Sequence, residues 1–182
     1  MHLVEAPSAA ISLPGVAAAR ADLTAARRTL VIGYGSPIRG DDAVGPLAAD
    51  ALAAGPLPPG LRVMSRHVLT AELVEDLAAV DQAIFLDAAA QGEPGRVQVQ
   101  ELGPDASLVS TMAHFLDPRE LLAWCETLYQ RVPQAWLVSV AGTSFDYAGY
   151  CLSPAVAAAV PAMLVEVRRL VSGGVGQRSE GA

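Results

Sequence analysis

The 182-residue chain has only two cysteines, Cys125 and Cys151. They do not form a CxxC pair, which excludes a disulfide framework and a closed cysteine–zinc site and favours a reducing, cytoplasmic setting. Long apolar runs are also missing. Hydrophobic residues make up 52% and mean hydropathy is +0.36, yet no stretch of about eighteen apolar residues runs free of charge, so no membrane span is expected. Positive charge is scarce: 12 Lys and Arg stand against 19 Asp and Glu, a net charge of −7. That balance argues against a nucleic-acid partner, which needs a basic face. No signal peptide is expected, because Glu5, Pro7, Pro14 and Gly15 interrupt the N-terminus and no basic start precedes them. Familiar catalytic and phosphate motifs are lacking too. There is no Gly-Lys-Ser/Thr of a P-loop, no GxSxG elbow, and no third glycine to complete GxGxxG after Gly33 and Gly35.

What is present centres on residues 29–45, TLVIGYGSPIRGDDAVG. A short apolar run ends in glycines, a loop follows, and two adjacent carboxylates open a helical pattern. Open α/β sheets place their chemistry at such strand-to-helix turns. The remaining pattern alternates strands and helices. Strands are expected at 29–34, 61–68, 83–86 and 135–140, with helices over 43–54, 71–79, 114–130 and 154–171. Val44, Leu47, Ala48, Ala51 and Leu52 form the apolar stripe of the first helix. Leu116, Leu121, Leu122, Trp124 and Leu128 are expected to point inward from the third. Thr70 is expected to cap the second helix, and Ser153-Pro154 starts the last. Residues 96–102 alternate cleanly and read as an antiparallel edge strand. The fold expected is a three-layer α/β/α sandwich with a twisted, mostly parallel five-stranded sheet, of phosphorylase or hydrolase type. Residues 29–171 form the single domain, 1–28 a flexible N-terminal extension, and 172–182 a disordered tail.

Three sets of residues can carry chemistry. Asp41 and Asp42 suit helix capping, which accounts for one of them. Asp87 follows four apolar residues and falls at the carboxyl end of a central strand. His114 lies at a helix start. His2 and His67 attract no cluster and read as incidental. Two carboxylates and an imidazole brought to one crevice, with positions left open, suit a borderline divalent metal that keeps water or substrate ligands. The acidic pair disfavours a phosphate, which leaves a nucleotide- or phosphate-binding enzyme as a weaker alternative.

The stretch G-Y-G-S-P-I-R-G-D-D-A-V-G resembles the opening signature of the hydrogenase maturation endopeptidases, which trim a C-terminal peptide from the large subunit of nickel–iron hydrogenase. The resemblance continues through the strand ending in Asp87, through S-T-M-A-H, and into G-Y-C-L-S-P-A-V-A-A-A-V-P, so it spans residues 29–171. It implies metal-binding residues Asp42, Asp87 and His114, with Asp42 also the catalytic proton relay. It implies a substrate loop and helix cap built from Gly33, Gly35, Gly40 and Asp41. The activity implied is a hydrolase: a nickel-dependent endopeptidase, aspartic-type or metal-assisted. The nickel is already placed in the precursor subunit, so the substrate supplies it, and cadmium or zinc can stand in. The partner implied is a hydrogenase large-subunit precursor. Two departures stand out: Ser36 replaces the family's usual Asn, and Asp42 an often-found Glu. They keep open a non-proteolytic assembly factor as a further alternative.

Overall fold

A computed structural model describes residues 26–107, 116–147 and 151–173. Strands β1 (Thr29–Tyr34), β2 (Leu61–Arg66), β3 (Gln82–Ala89), β4 (Val97–Leu102) and β5 (Gln134–Ala141) form one sheet in the order β2-β1-β3-β5-β4. All neighbours are parallel except β4, which runs antiparallel to β5 at the edge. The helices are α1 (Val44–Ala53), α2 (Leu73–Ala78), α3 (Pro118–Tyr129) and α4 (Pro154–Val171). Period-two alternation along the strands divides the core in two. Val31, Ile84, Leu86, Val138 and Val140 face α1 and α4. Leu30, Ile32 and Phe85 face α2 and α3 from the other side of the sheet. The expected three-layer sandwich, with β4 as its antiparallel edge, is the observed fold.

Two glycines let α1 lie directly on the sheet. A Cβ on Gly33 would come within 2.0 Å of the Gly45 carbonyl oxygen, and one on Gly45 within 2.3 Å of the Tyr34 oxygen and 2.4 Å of the Leu86 oxygen. No real Cβ tolerates such approaches, so Gly33 serves helix–sheet packing. It lies within β1 and does not line the cleft described below, contrary to its expected place in a substrate loop.

Several local expectations are corrected. Neither Asp41 nor Asp42 caps α1: both fall in a 3-10 turn, Gly40–Ala43, and the N-cap residue is Ala43 with no side-chain bond. Thr70 does not cap α2, whose N-cap is Glu72; its hydroxyl bonds the Glu72 side chain instead. Trp124 and Leu128 face outward, as does Leu47 of α1. Their stripes are wider than the contact each helix makes with the sheet. Residues 26–28, expected to belong to the loose extension, are tied down. Arg27 donates to Gln134 Oε1 at 2.6 Å, and Arg28 pairs with Asp81 at 2.9 Å. No helix among the described residues is long and apolar enough to cross a membrane.

Candidate active site

The chain leaves β1 for β2 on one side, then returns to place β3 on the other side of β1. This reversal is a topological switch point, where the loops after two neighbouring parallel strands diverge and open a crevice. Here the crevice is a cleft of ≈ 640 Å³ whose lining includes Tyr34, Asp42, Asp87, Arg39, Phe145 and Tyr147. Asp42 reaches it from the 3-10 turn after β1, and Asp87 from β3. The strand continues past Asp87, because Ala88 and Ala89 pair with Val140 and Ala141 of β5. Asp87 is thus presented by regular strand structure near the carboxyl end of β3, as expected from sequence, with the strand running two residues further than expected.

The loop between β1 and the 3-10 turn is shaped by main chain. Gly35 adopts φ +137°, and a Cβ there would meet the Asp42 carbonyl oxygen at 1.9 Å. Only glycine fits. The Ser36 N–H donates to Asp42 Oδ2 at 2.9 Å. This bond holds the Asp42 carboxylate at the cleft and engages one of its two oxygens.

Asp87 is half-buried. Burial raises its pKa from the usual 3.8 to about 7, with the nearby charges of Asp42 and Asp117 adding to the effect. Hydrogen bonds from the Tyr34 hydroxyl and the Ala88 N–H (2.7 Å) act the other way, because they favour the ionised form. Tyr34 is itself pushed well above its usual range, mainly by burial and then by the adjacent Asp87. Its ring meets Phe85 edge-on, with centroids 6.5 Å apart. Tyr34 therefore stays protonated and acts as a fixed donor to Asp87.

Asp41 is fully buried and turns away from the cleft to a distant segment. Its Oδ2 accepts from the N–H groups of Thr143 (2.8 Å) and Ser144 (3.0 Å), and its Oδ1 from Ser153 N–H (2.6 Å). Its own N–H donates to the Ser144 carbonyl at 2.8 Å. Burial works to raise its pKa, but the three backbone donors outweigh it and hold the carboxyl below its usual value. Asp41 thus joins the 3-10 turn to the β5–α4 connection. Gly40 permits the join, since a Cβ there would press on the Ser144 oxygen at 2.6 Å. The clamped segment supplies Phe145 and Tyr147 to the cleft. Arg39 spans the gap, its guanidinium 5.2 Å from the Tyr147 ring centroid and its Nε donating to the Phe145 carbonyl at 3.4 Å.

Of the residues expected to bind metal, the structure brings Asp42 and Asp87 into one cleft. His114 lies outside the described residues. Among the described residues, no group of three or more His, Cys, Asp or Glu side chains could hold a metal ion. Sequence reasoning missed Tyr34, Arg39, Phe145 and Tyr147, and it set His67 aside although His67 lines the cleft. Position gave a usable signal for two of these: Tyr34 and His67 stand at the carboxyl ends of the first two expected strands. Cys125 is buried and its thiol is raised to about 11 by desolvation, so it is inert filling of the core.

No family model matches the chain, and no curated protein matches it by sequence. Solved structures do. The hydrogenase maturating endopeptidase HybD from E. coli superposes with a TM-score of 0.68 at 23% identity, covering 85% of this chain and 99% of that one. A hydrogenase 2 maturation peptidase from a Thaumarchaeota archaeon gives a TM-score of 0.61 at 26% identity, covering 81% and 99%. The [NiFe] hydrogenase maturation protease HycI from Thermococcus kodakarensis gives 0.62 at 22% identity, covering 84% and 97%. These matches span nearly the whole of each relative. The chain therefore has the fold of the hydrogenase maturation endopeptidases.

Proposed function

We propose that this protein is an endopeptidase that removes the C-terminal extension of a nickel–iron hydrogenase large-subunit precursor after nickel insertion. The observation that carries this reading is the pair Asp42 and Asp87. Two carboxylates share one cleft at the switch point of a fold that solved maturation peptidases also have. The donor chemistry suits a divalent cation carried by the substrate. One Asp42 oxygen is engaged by Ser36 N–H while the carboxylate lines the cleft. Asp87 is costly to ionise where it stands, and a cation against it would offset that cost. His114 is the third ligand in this reading.

The nickel belongs to the substrate, and the enzyme approaches it. A nickel ion held by Asp42, Asp87 and His114 would bring the scissile bond beside the cleft, where it would polarise the carbonyl or lower the pKa of a bound water. Tyr34 fixes the Asp87 carboxylate and Ser36 N–H fixes Asp42, which takes a proton from the water attacking the scissile carbonyl and passes it to the leaving amine. The stacked Arg39–Tyr147 pair and Phe145 wall the cleft. A precursor without nickel offers the two carboxylates nothing to bind, so cleavage waits for metal insertion. We place the activity in the cytoplasm, where the precursor would be assembled.

Crystals soaked in cadmium or nickel test the site. One ion bound jointly by Asp42, Asp87 and His114 is the expected result. Ions scattered over other carboxylates, with the cleft empty, would count against it.

A further inference from the structure

The cleft is open on its β2 side. Pro37 and His67 line it and also line a second groove of ≈ 510 Å³, walled by Pro46 and Leu47 of α1 and by Ser65 and Arg66 of β2. Leu47 presents 48% of its surface there although it belongs to the apolar stripe of its helix. β2 is the outermost strand on this side. Its ladder with β1 uses the Gly60 and Arg66 carbonyls, which accept from Thr29 N–H at 2.9 Å and Gly35 N–H at 3.2 Å. Main-chain groups alternate in direction along a strand, so the even-numbered residues of β2 point to β1 and Val63 and Ser65 point outward. The exposed Arg66 side chain donates to the outward Ser65 carbonyl at 2.8 Å, which blunts this edge. Among the described residues no carboxylate lies within ion-pair distance of Arg66; Glu72 feels its charge from farther off, and Asp50, which also lines the groove, accepts from the Ser65 hydroxyl.

We propose that this groove binds the C-terminal extension of the substrate, as an extended segment laid beside β2. The inference rests on the proteolytic reading above and adds where the removed peptide lies. The groove is continuous with the cleft through Pro37 and His67, so a chain cut in the cleft can leave along it. Its volume of ≈ 510 Å³ holds a few residues of an extended chain, which suits a free chain end rather than the folded body of a large subunit. Main-chain bonds to the outward groups of Val63 and Ser65 supply affinity, and side-chain pockets supply selectivity. An apolar residue of the extension packs on Leu47, and an acidic side chain or the terminal carboxylate takes Arg66 from the Ser65 carbonyl.

Leu47→Glu and Arg66→Glu test this, since both residues lie outside the cleft and are exposed. Circular dichroism and thermal melting first establish that both variants fold. With nickel-loaded precursor, each variant should raise KM roughly tenfold while kcat stays within about twofold. Shortening the extension to the residues next to the scissile bond should remove the difference from wild type. If the wild type cleaves and both variants keep its KM, the groove assignment is wrong and the proteolytic reading stands. Fluorescence anisotropy with a synthetic peptide of the extension separates the two further. Binding by the wild type and loss of it in Leu47→Glu support the groove even where no cleavage is seen. Absence of peptide binding, or cross-linking of the groove to residues 1–25 or to a second copy of the chain, overturns the proposal.

Discussion

Replacing Asp87 by asparagine should stabilise the metal-free protein, and increasingly so as pH rises. In the folded protein the Asp87 carboxyl titrates at about 7 rather than the usual 3.8, mainly because burial penalises its charge. Between these two values the folded state holds a proton that the unfolded chain has released. Stability therefore falls as pH rises through this window and is lowest above it. The difference of about 3 units corresponds to roughly 4 kcal/mol at about pH 8 and roughly 2 kcal/mol at about pH 5, at 1.36 kcal/mol per unit. Asp87 is still partly open to the cleft, so solvent screening reduces these to about half. Asparagine keeps the shape and can accept from Tyr34 and Ala88, but carries no charge. Urea denaturation of wild type and Asp87→Asn at both pH values measures the effect. The variant should gain about 2 kcal/mol at pH 8 and about 1 kcal/mol at pH 5, a shift of several degrees in Tm at the higher pH. An equal gain at both pH values, or a loss at pH 8, would refute the reasoning.

Other perturbations have equally definite outcomes. Tyr34→Phe removes a donor that favours ionised Asp87, so the Asp87 carboxyl should titrate above about 7, as read by carboxyl-carbon NMR. Asp41→Ala removes the acceptor of three part-buried backbone N–H bonds and should cost about 2–3 kcal/mol in chemical denaturation. The same clamp should weaken in acid. Asp41 titrates lower in the folded state than unfolded, so its contribution is present above about pH 4 and is lost as pH falls below its folded pKa. Gly45→Ala forces a Cβ against the Tyr34 and Leu86 carbonyl oxygens and should destabilise by about 3 kcal/mol or more, measured by thermal melting.

The parts of the fold visible in the sequence were those set by local pattern. β1 is a short apolar run that ends among glycines, and its bounds, Thr29–Tyr34, are as expected. Clean alternation in residues 97–102 marks an edge strand with one face on the core, and β4 is that strand. Ser153-Pro154 opens α4 as expected, with Pro at the helix start. Apart from Thr70, whose hydroxyl bonds Glu72 two residues on, the misses depend on distant partners. A buried aspartate that accepts backbone N–H groups from its own turn looks the same in sequence as one that accepts them from residues more than 100 positions away, and Asp41 is the second kind. The extension of β3 through Ala88 and Ala89 is decided by β5, since alanines carry little strand preference of their own. The outward turn of Trp124 and Leu128 reflects how narrow a stripe of α3 the sheet covers. In the site, Asp42 and Asp87 were legible because each ends a recognisable strand-to-loop pattern. Phe145 and Tyr147 were not, because contacts from the distant Asp41 and Arg39 bring their loop to the cleft.

The central claim is that Asp42 and Asp87 cut a substrate that presents nickel. The most direct measurement is the intact mass of a hydrogenase large-subunit precursor, with and without nickel, after incubation with this protein or with its Asp42→Ala and Asp87→Ala variants. The account predicts loss of a C-terminal peptide only from the nickel-loaded precursor and only with the wild-type protein. Unchanged mass in every case, or full cleavage by both variants, would contradict it.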